Sequence, residues 1–260
     1  MRILTLMLVA ATASLVTGCV TTETDVVRFQ PKPTQQAVEQ AGQTALISKG
    51  KNSVVLLRPV ATDLPAGTRP VFFVGIENRS RQPVDFKVTN ISVAQVSGVQ
   101  RRPLKVYTQP ELLAEEHERQ EGEAVDLAIA AAVNSSAAEA SAYKPGTMNL
   151  DVPIFNGADK INLKLNGITT YDRTAAQEAH AWTDIANAAM IGESMGKSAE
   201  RLASLENTVV RDNRVMPNSW YGGQLHVEAP EGAGRRVYTI AVMVGADRHE
   251  IDVVQETVSQ

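Results

Sequence analysis

The sequence predicts a mainly β protein, an immunoglobulin-like antiparallel β-sandwich with an inserted Ala-rich antiparallel helical pair. From Ser53 to Thr108, short runs rich in Val, Ile and Phe alternate with turn formers at intervals of about ten residues, the spacing of a sandwich. From Thr108 to about residue 206 the pattern becomes helical and dominated by Ala, Glu and Leu. After Asn207 strand character returns, so the frame is expected to be built from both ends of the chain, with the insertion at about 108–206.

Strands are expected over Ser53 to Val60, Arg69 to Glu77, Pro83 to Val88, Ile91 to Val96 and Leu104 to Thr108, with Pro65-Ala66-Gly67 and Asn78-Arg79-Ser80 as turns. Thr108-Gln109-Pro110-Glu111 has the form of a capping box with Pro in the first turn, which starts a helix that Lys144-Pro145-Gly146 should stop. Ala124, Ala128, Ala132, Ser136 and Ala140 recur at every fourth position of that helix. After an irregular connector, Ile161, Leu163 and Leu165 alternate with Asn162, Lys164 and Asn166 in an extended arm. Thr174-Ala175-Ala176-Gln177 offers a second capping box for a helix to about Leu205, with its own small row at Ala188, Gly192 and Gly196. The two small rows are expected to face each other in a close-packed helical pair. Val209-Val210, Gly223 to Glu228, and a hairpin of Val237 to Val244 with His249 to Val254 complete the frame. The Val237 strand, apolar on both faces, is expected to be central.

The start of the chain reads differently. Arg2 is followed by the apolar run Ile3 to Ala13, too short to remain as a membrane span, and then by Leu15-Val16-Thr17-Gly18-Cys19, which contains the one cysteine of the 260 residues. This run resembles the lipobox of bacterial lipoproteins, with Val16 where Leu is commoner. The resemblance implies that residues 1–18 are a signal peptide and that Cys19 becomes the mature N-terminus, carrying a diacylglyceryl thioether and a further acyl chain (palmitate-like) on its amine. Val20, where an Asp retains many such proteins in the inner membrane, implies the outer membrane, facing the periplasm or the cell surface. Residues 19–50, mostly Thr, Gln, Glu and Val, are read as a tether with at most a short helix near Thr34 to Ile47, and residues 51–260 as the sandwich domain. No disulfide can form within the mature chain.

Loss of Arg2 with residues 1–18 moves the formal charge from −4 to −5, which argues against a nucleic-acid partner. The histidines at 117, 180, 226 and 249 share no metal-ligand spacing, so neither a metal nor a cofactor is expected beyond the covalent lipid. Gly192-Glu193-Ser194-Met195-Gly196 matches the G-x-S-x-G nucleophile elbow, with Asp212 or Asp247 as acid and His226 or His249 as base, but no apolar strand precedes it. Gly192 to Ser198 has three residues between its glycines where a phosphate-binding loop has four. Trp220-Tyr221-Gly222-Gly223 reads as two aromatics on a glycine-marked turn, either a core Trp entering a strand or a recognition surface. The expectation is therefore a non-enzymatic envelope lipoprotein, a membrane-tethered structural or interaction module with an envelope protein partner or self-association. The alternatives are a lipid-anchored serine hydrolase using Ser194 and a carrier or chaperone for apolar cargo.

Overall fold

Alternation of apolar and polar residues sets most of the strands, and the computed structural model describes them over residues 23–40, 43–153 and 160–259. The first half contributes β1 (Glu23–Gln30), β2 (Gln35–Gln40), β3 (Gln43–Lys49), β4 (Ser53–Pro59), β5 (Asp63–Pro65), β6 (Val71–Asn78), β7 (Val84–Phe86), β8 (Ile91–Ser97), β9 (Gln100–Leu104) and β10 (Val106–Tyr107). Then come α1 (Gln109–Ser141), β11 (Tyr143–Pro153), β12 (Lys160–Tyr171) and α2 (Arg173–Thr208). The chain closes with β13 (Asn213–Val215), β14 (Ser219–Val227), β15 (Arg235–Val244) and β16 (Asp247–Ser259). Residues 1–18, read as a signal peptide, and Cys19 lie outside the described residues, as does part of the connector at 154–159.

Two compact units result. One takes the described residues up to Val106 with Asn213–Gly222 and those from His226 onward; the other takes Tyr107–Asp212 with Gly223–Leu225. The first is the antiparallel β-sandwich. Its two six-stranded sheets run β5-β1-β16-β15-β8-β9 and β10-β14-β6-β4-β3-β2, so early and late strands are interleaved in both. β15 lies between β16 and β8, and Val244 pairs with Asp247 across the two-residue loop Gly245-Ala246, where Gly245 takes a φ of 59°. Leu46, Val55, Leu57, Phe72, Val74 and Ile76 from one sheet and Tyr238, Ile240, Ile251 and Val253 from the other are buried without residual exposure. Phe72 stands between Phe29 and Tyr238, with both ring centroids 6.3 Å away.

The tether reading of residues 19–50 is corrected. β1 pairs along its whole length with β16, from Glu23 opposite Ser259 to Gln30 opposite Asp252, and β3 pairs with β4. Within 34–47, Gln35–Gln40 form β2 and the described residues from Gln43 onward belong to β3, not to a helix. The region is polar because β1 buries only alternate residues, and one of these is an aspartate, Asp25.

Asp25 is fully buried, ion-paired with the buried Arg236, and accepts hydrogen bonds from Thr257 Oγ1 (2.7 Å), Gln255 Nε2 (2.9 Å) and the Gly67 N–H (3.0 Å). Burial pushes its carboxyl up, but Thr257, Gly67, Gln255 and Arg236 together outweigh it and bring the pKa down to about 2. Tyr238, whose hydroxyl donates to Gln255 Oε1 at 3.4 Å, is pushed well above the usual phenol range by burial. A polar knot thus stitches β1, β16 and β15 together inside the sandwich.

Gly222 and Gly223 mark a close approach inside β14, not the turn the sequence suggests. A Cβ at Gly222 would meet the Val74 carbonyl oxygen at 2.6 Å, and one at Gly223 the Val210 nitrogen at 2.7 Å and the Thr208 oxygen at 2.8 Å.

Candidate functional site: a helical arm with a polar seam

The second unit is an arm: two helices joined through a two-stranded hairpin. α1 opens where the sequence places it, with Glu111 Oε2 accepting from both the backbone N–H and the hydroxyl of Thr108, each at 2.8 Å. α2 opens two residues before the expected cap. The Asp172 side chain accepts from the Ala175 N–H at 3.0 Å, an N-cap stronger than the neighbouring Thr.

Cross-helix hydrogen bonds fix the pair as antiparallel. Gln109 reaches the carbonyl oxygens of Leu205 (3.1 Å) and Glu206 (2.8 Å), Asn134 donates to Asn187 at 3.0 Å, and His180 meets Glu139 at 3.0 Å. The seam follows the three-four spacing of a coiled coil, at 116, 120, 123, 127, 130 and 134 on α1 and 180, 183, 187, 190, 194 and 201 on α2. What occupies it is unusual, because most of these positions are polar. The buried Glu116 is ion-paired with Arg119 and Arg201, and Glu123 with the same two arginines. Burial raises the Glu116 carboxyl, but hydrogen bonds from Arg119, Gln120 and Arg201 outweigh it and hold the pKa at about 2.

The outward surface carries the apolar residues instead. Val125, Ile129 and Val133 on α1 and Trp182, Ile185 and Met195 on α2 are all more than half exposed. Two grooves flank the seam: one of about 450 Å³ lined by Glu123, Asp126, Met190, Lys197 and Arg201, and one of about 350 Å³ lined by Ala124, Ala128, Ile191 and Met195.

The expected small-residue contact is therefore corrected. Ala124, Ala128, Ala132, Ser136 and Ala140 are exposed, as are Ala188, Gly192 and Gly196, and a Cβ at either glycine would meet nothing within 4 Å. The reason is geometric: a four-residue step advances about 40° beyond a full turn, so four such steps swing a row by about 160° around the helix. Ser194 sits in the seam, with its hydroxyl 3.4 Å from Glu123 Oε2. Gly192→Ala and Gly196→Ala should each raise stability, by about 0.5–1 kcal/mol from helix propensity alone. Thermal melts followed at a helical wavelength will show it, and a lowered midpoint would mean the glycines do pack against a neighbour.

The elbow reading of Ser194 has no structural basis, since helix extends well to both sides of it within α2. Asp212 is exposed beyond the end of α2, and His226 lies in β14. His249 and Asp247 do come together, but on Ser53. Ser53 Oγ donates to Asp247 Oδ2 at 2.8 Å and lies 2.9 Å from His249 Nε2, while His249 Nδ1 is 3.0 Å from Ser48 Oγ. The Ser53 proton is directed at Asp247, and which His249 nitrogen donates to its serine neighbour follows from the ring tautomer. Burial lowers the His249 pKa, partly opposed by the Asp247 charge and by a backbone hydrogen bond with Ser48. The cluster pins β16 to the Gly50–Ser53 turn, where Asp247 also accepts from the Asn52 N–H at 2.6 Å.

Trp220 is 55% exposed, which overturns its reading as a core residue; it lies across the sheet face at Gly75, while Tyr221 is half-buried against Phe86 with ring centroids 6.2 Å apart. Among the described residues no group of three or more His, Cys, Asp or Glu is gathered as a metal site, and no helix is long and apolar enough to cross a membrane. The polar seam was missed at the sequence level, although His180, Asn187, Ser194 and Arg201 repeat every seven residues and would have revealed it. Compared with known proteins, the chain matches no family model, no curated protein and no solved structure.

Proposed function

We propose that this chain is a non-enzymatic lipoprotein of the bacterial outer membrane, anchored through Cys19, whose sandwich carries the helical arm as an assembly element. The observation that carries the reading is the inverted polarity of the arm. A helical pair that stood alone in water would put Val125, Ile129, Val133, Trp182 and Ile185 in its seam and Glu116, Glu123 and Arg201 outside; here the arrangement is reversed. Exposed apolar stripes on both helices are a binding surface by the ordinary logic of surface patches.

Photo-crosslinking residues placed at Ile129 and Trp182 in intact cells should give discrete heavier species, while the same residue at the seam position Ser194 gives far less. Equal yields at all three positions, or none, would defeat the assembly reading. Cys19→Ala should leave an uncleaved product without the mass shift of the lipid, and a variant processed and shifted like the parent would defeat the lipoprotein reading. A fluorophosphonate probe should fail to label the parent chain, and labelling lost in Ser194→Ala would revive the hydrolase.

A further inference from the structure

The two strands that join the helices have a pattern that the arm itself does not need. Beyond a register shift at Gly146/Thr147, Met148 pairs with Leu165, Leu150 with Leu163 and Val152 with Ile161. The intervening pairs are Thr147 with Asn166, Asn149 with Lys164 and Asp151 with Asn162. Successive pairs of an antiparallel ladder belong to opposite faces of the sheet. Over these six pairs one face of the ladder is apolar and the other polar, and Pro153 opposite Lys160 ends it. The strands are 11 and 12 residues long, against about 9–11 for a strand that crosses a bilayer. At their base, beside the helices, the rings of Tyr143 and Tyr171 lie 5.2 Å apart and about half exposed, as in the aromatic girdle at a membrane interface. Among the described residues the hairpin is a sheet of two strands, so each has an edge with no ladder partner there. Such a sheet is marginal in water, and inside a bilayer open edges do not occur.

We propose that β11 and β12 are one segment of a transmembrane β-barrel closed by the same hairpin from further copies of this chain. Met148, Leu150, Val152, Ile161, Leu163 and Leu165 form the hydrocarbon side, and the Thr147, Asn149, Asp151, Asn162, Lys164 and Asn166 side lines a water-filled lumen. The occupant of each strand edge is a second copy, and the apolar stripes of α1 and α2 give neighbouring copies a continuous contact below the barrel. The proposal rests on the membrane-tethered assembly reading and adds to it a pore.

The test is ion conduction by the full lipidated chain reconstituted in planar phospholipid bilayers. The parent should give discrete channels. Leu163→Arg, which places a guanidinium on the hydrocarbon side, should cut channel incidence on the order of 30-fold or more. Lys164→Glu, on the lumen side, should keep channel incidence and shift the reversal potential toward cation selectivity. That second readout would not move if the hairpin were merely structural or a contact between proteins. Far-UV circular dichroism and an unchanged melt of the sandwich will show that both variants fold. A parent that binds the bilayer and gives no channels overturns the proposal, as does Leu163→Arg conducting like the parent or Lys164→Glu leaving selectivity unmoved. If crosslinks at Ile129 and Trp182 persist while no conductance appears, the assembly reading stands and the pore falls.

Discussion

Arg236→Ala is expected to destabilise the sandwich by about 3–5 kcal/mol, because it strands the Asp25 carboxylate inside the protein without its cation. The remaining donors, Thr257, Gln255 and the Gly67 N–H, cannot neutralise a buried charge. Replacing both partners, as in Asp25→Leu with Arg236→Met, should cost far less than the single change, since it removes the desolvation penalty together with the attraction. Urea unfolding of the two variants will check this, and a single variant no less stable than the double would mean the pair is solvated. The same knot sets an acid limit. The folded pKa of Asp25 lies at about 2, below the ordinary aspartate value of 3.8. Its contribution is therefore complete above the unfolded value and is lost as pH falls from about 4 through about 2, amounting to about 2.5 kcal/mol. Stability measured at pH 3 and pH 6 should differ in that direction in the parent and much less in the double variant.

Phe72→Ala should cost a further large amount, about 3–5 kcal/mol, since it empties the space between the two sheets where Phe29 and Tyr238 meet Phe72. A fall in the urea midpoint with an unchanged slope is the expected result. A loss under about 1 kcal/mol would show that the sheets close over the gap and that this part of the sandwich is not tightly packed.

Local signals located what they could. Thr108-Gln109-Pro110-Glu111 placed the first helix to the residue, and the doubly apolar Val237 run placed a central strand, because both depend on residues adjacent in sequence. Partnership across the chain was invisible. Nothing near Asp25 shows that Arg236 will neutralise it, so the polar composition of β1 reads as linker until the fold supplies the cation. On the arm, counting by fours singled out Gly192 and Gly196, whereas counting by sevens finds Ser194 and Arg201. The helix obeys the second count because 3.5 residues per turn holds a seam between two helices and four does not.

An early start to the fold also limits reach. β1 begins at Glu23, so only Val20, Thr21 and Thr22 separate the sandwich from the proposed lipid on Cys19. Fully stretched, that leash spans about 14 Å, scarcely the width of one helix with its side chains. On the proposed anchoring, the chain could not sweep far from the bilayer in search of a partner, and the 33 residues of α1 measure about 50 Å along the helix axis. If that anchoring holds, inserting a flexible segment after Val20 would turn a moored body into one that roams, and would uncouple where the chain is anchored from where its arm can act.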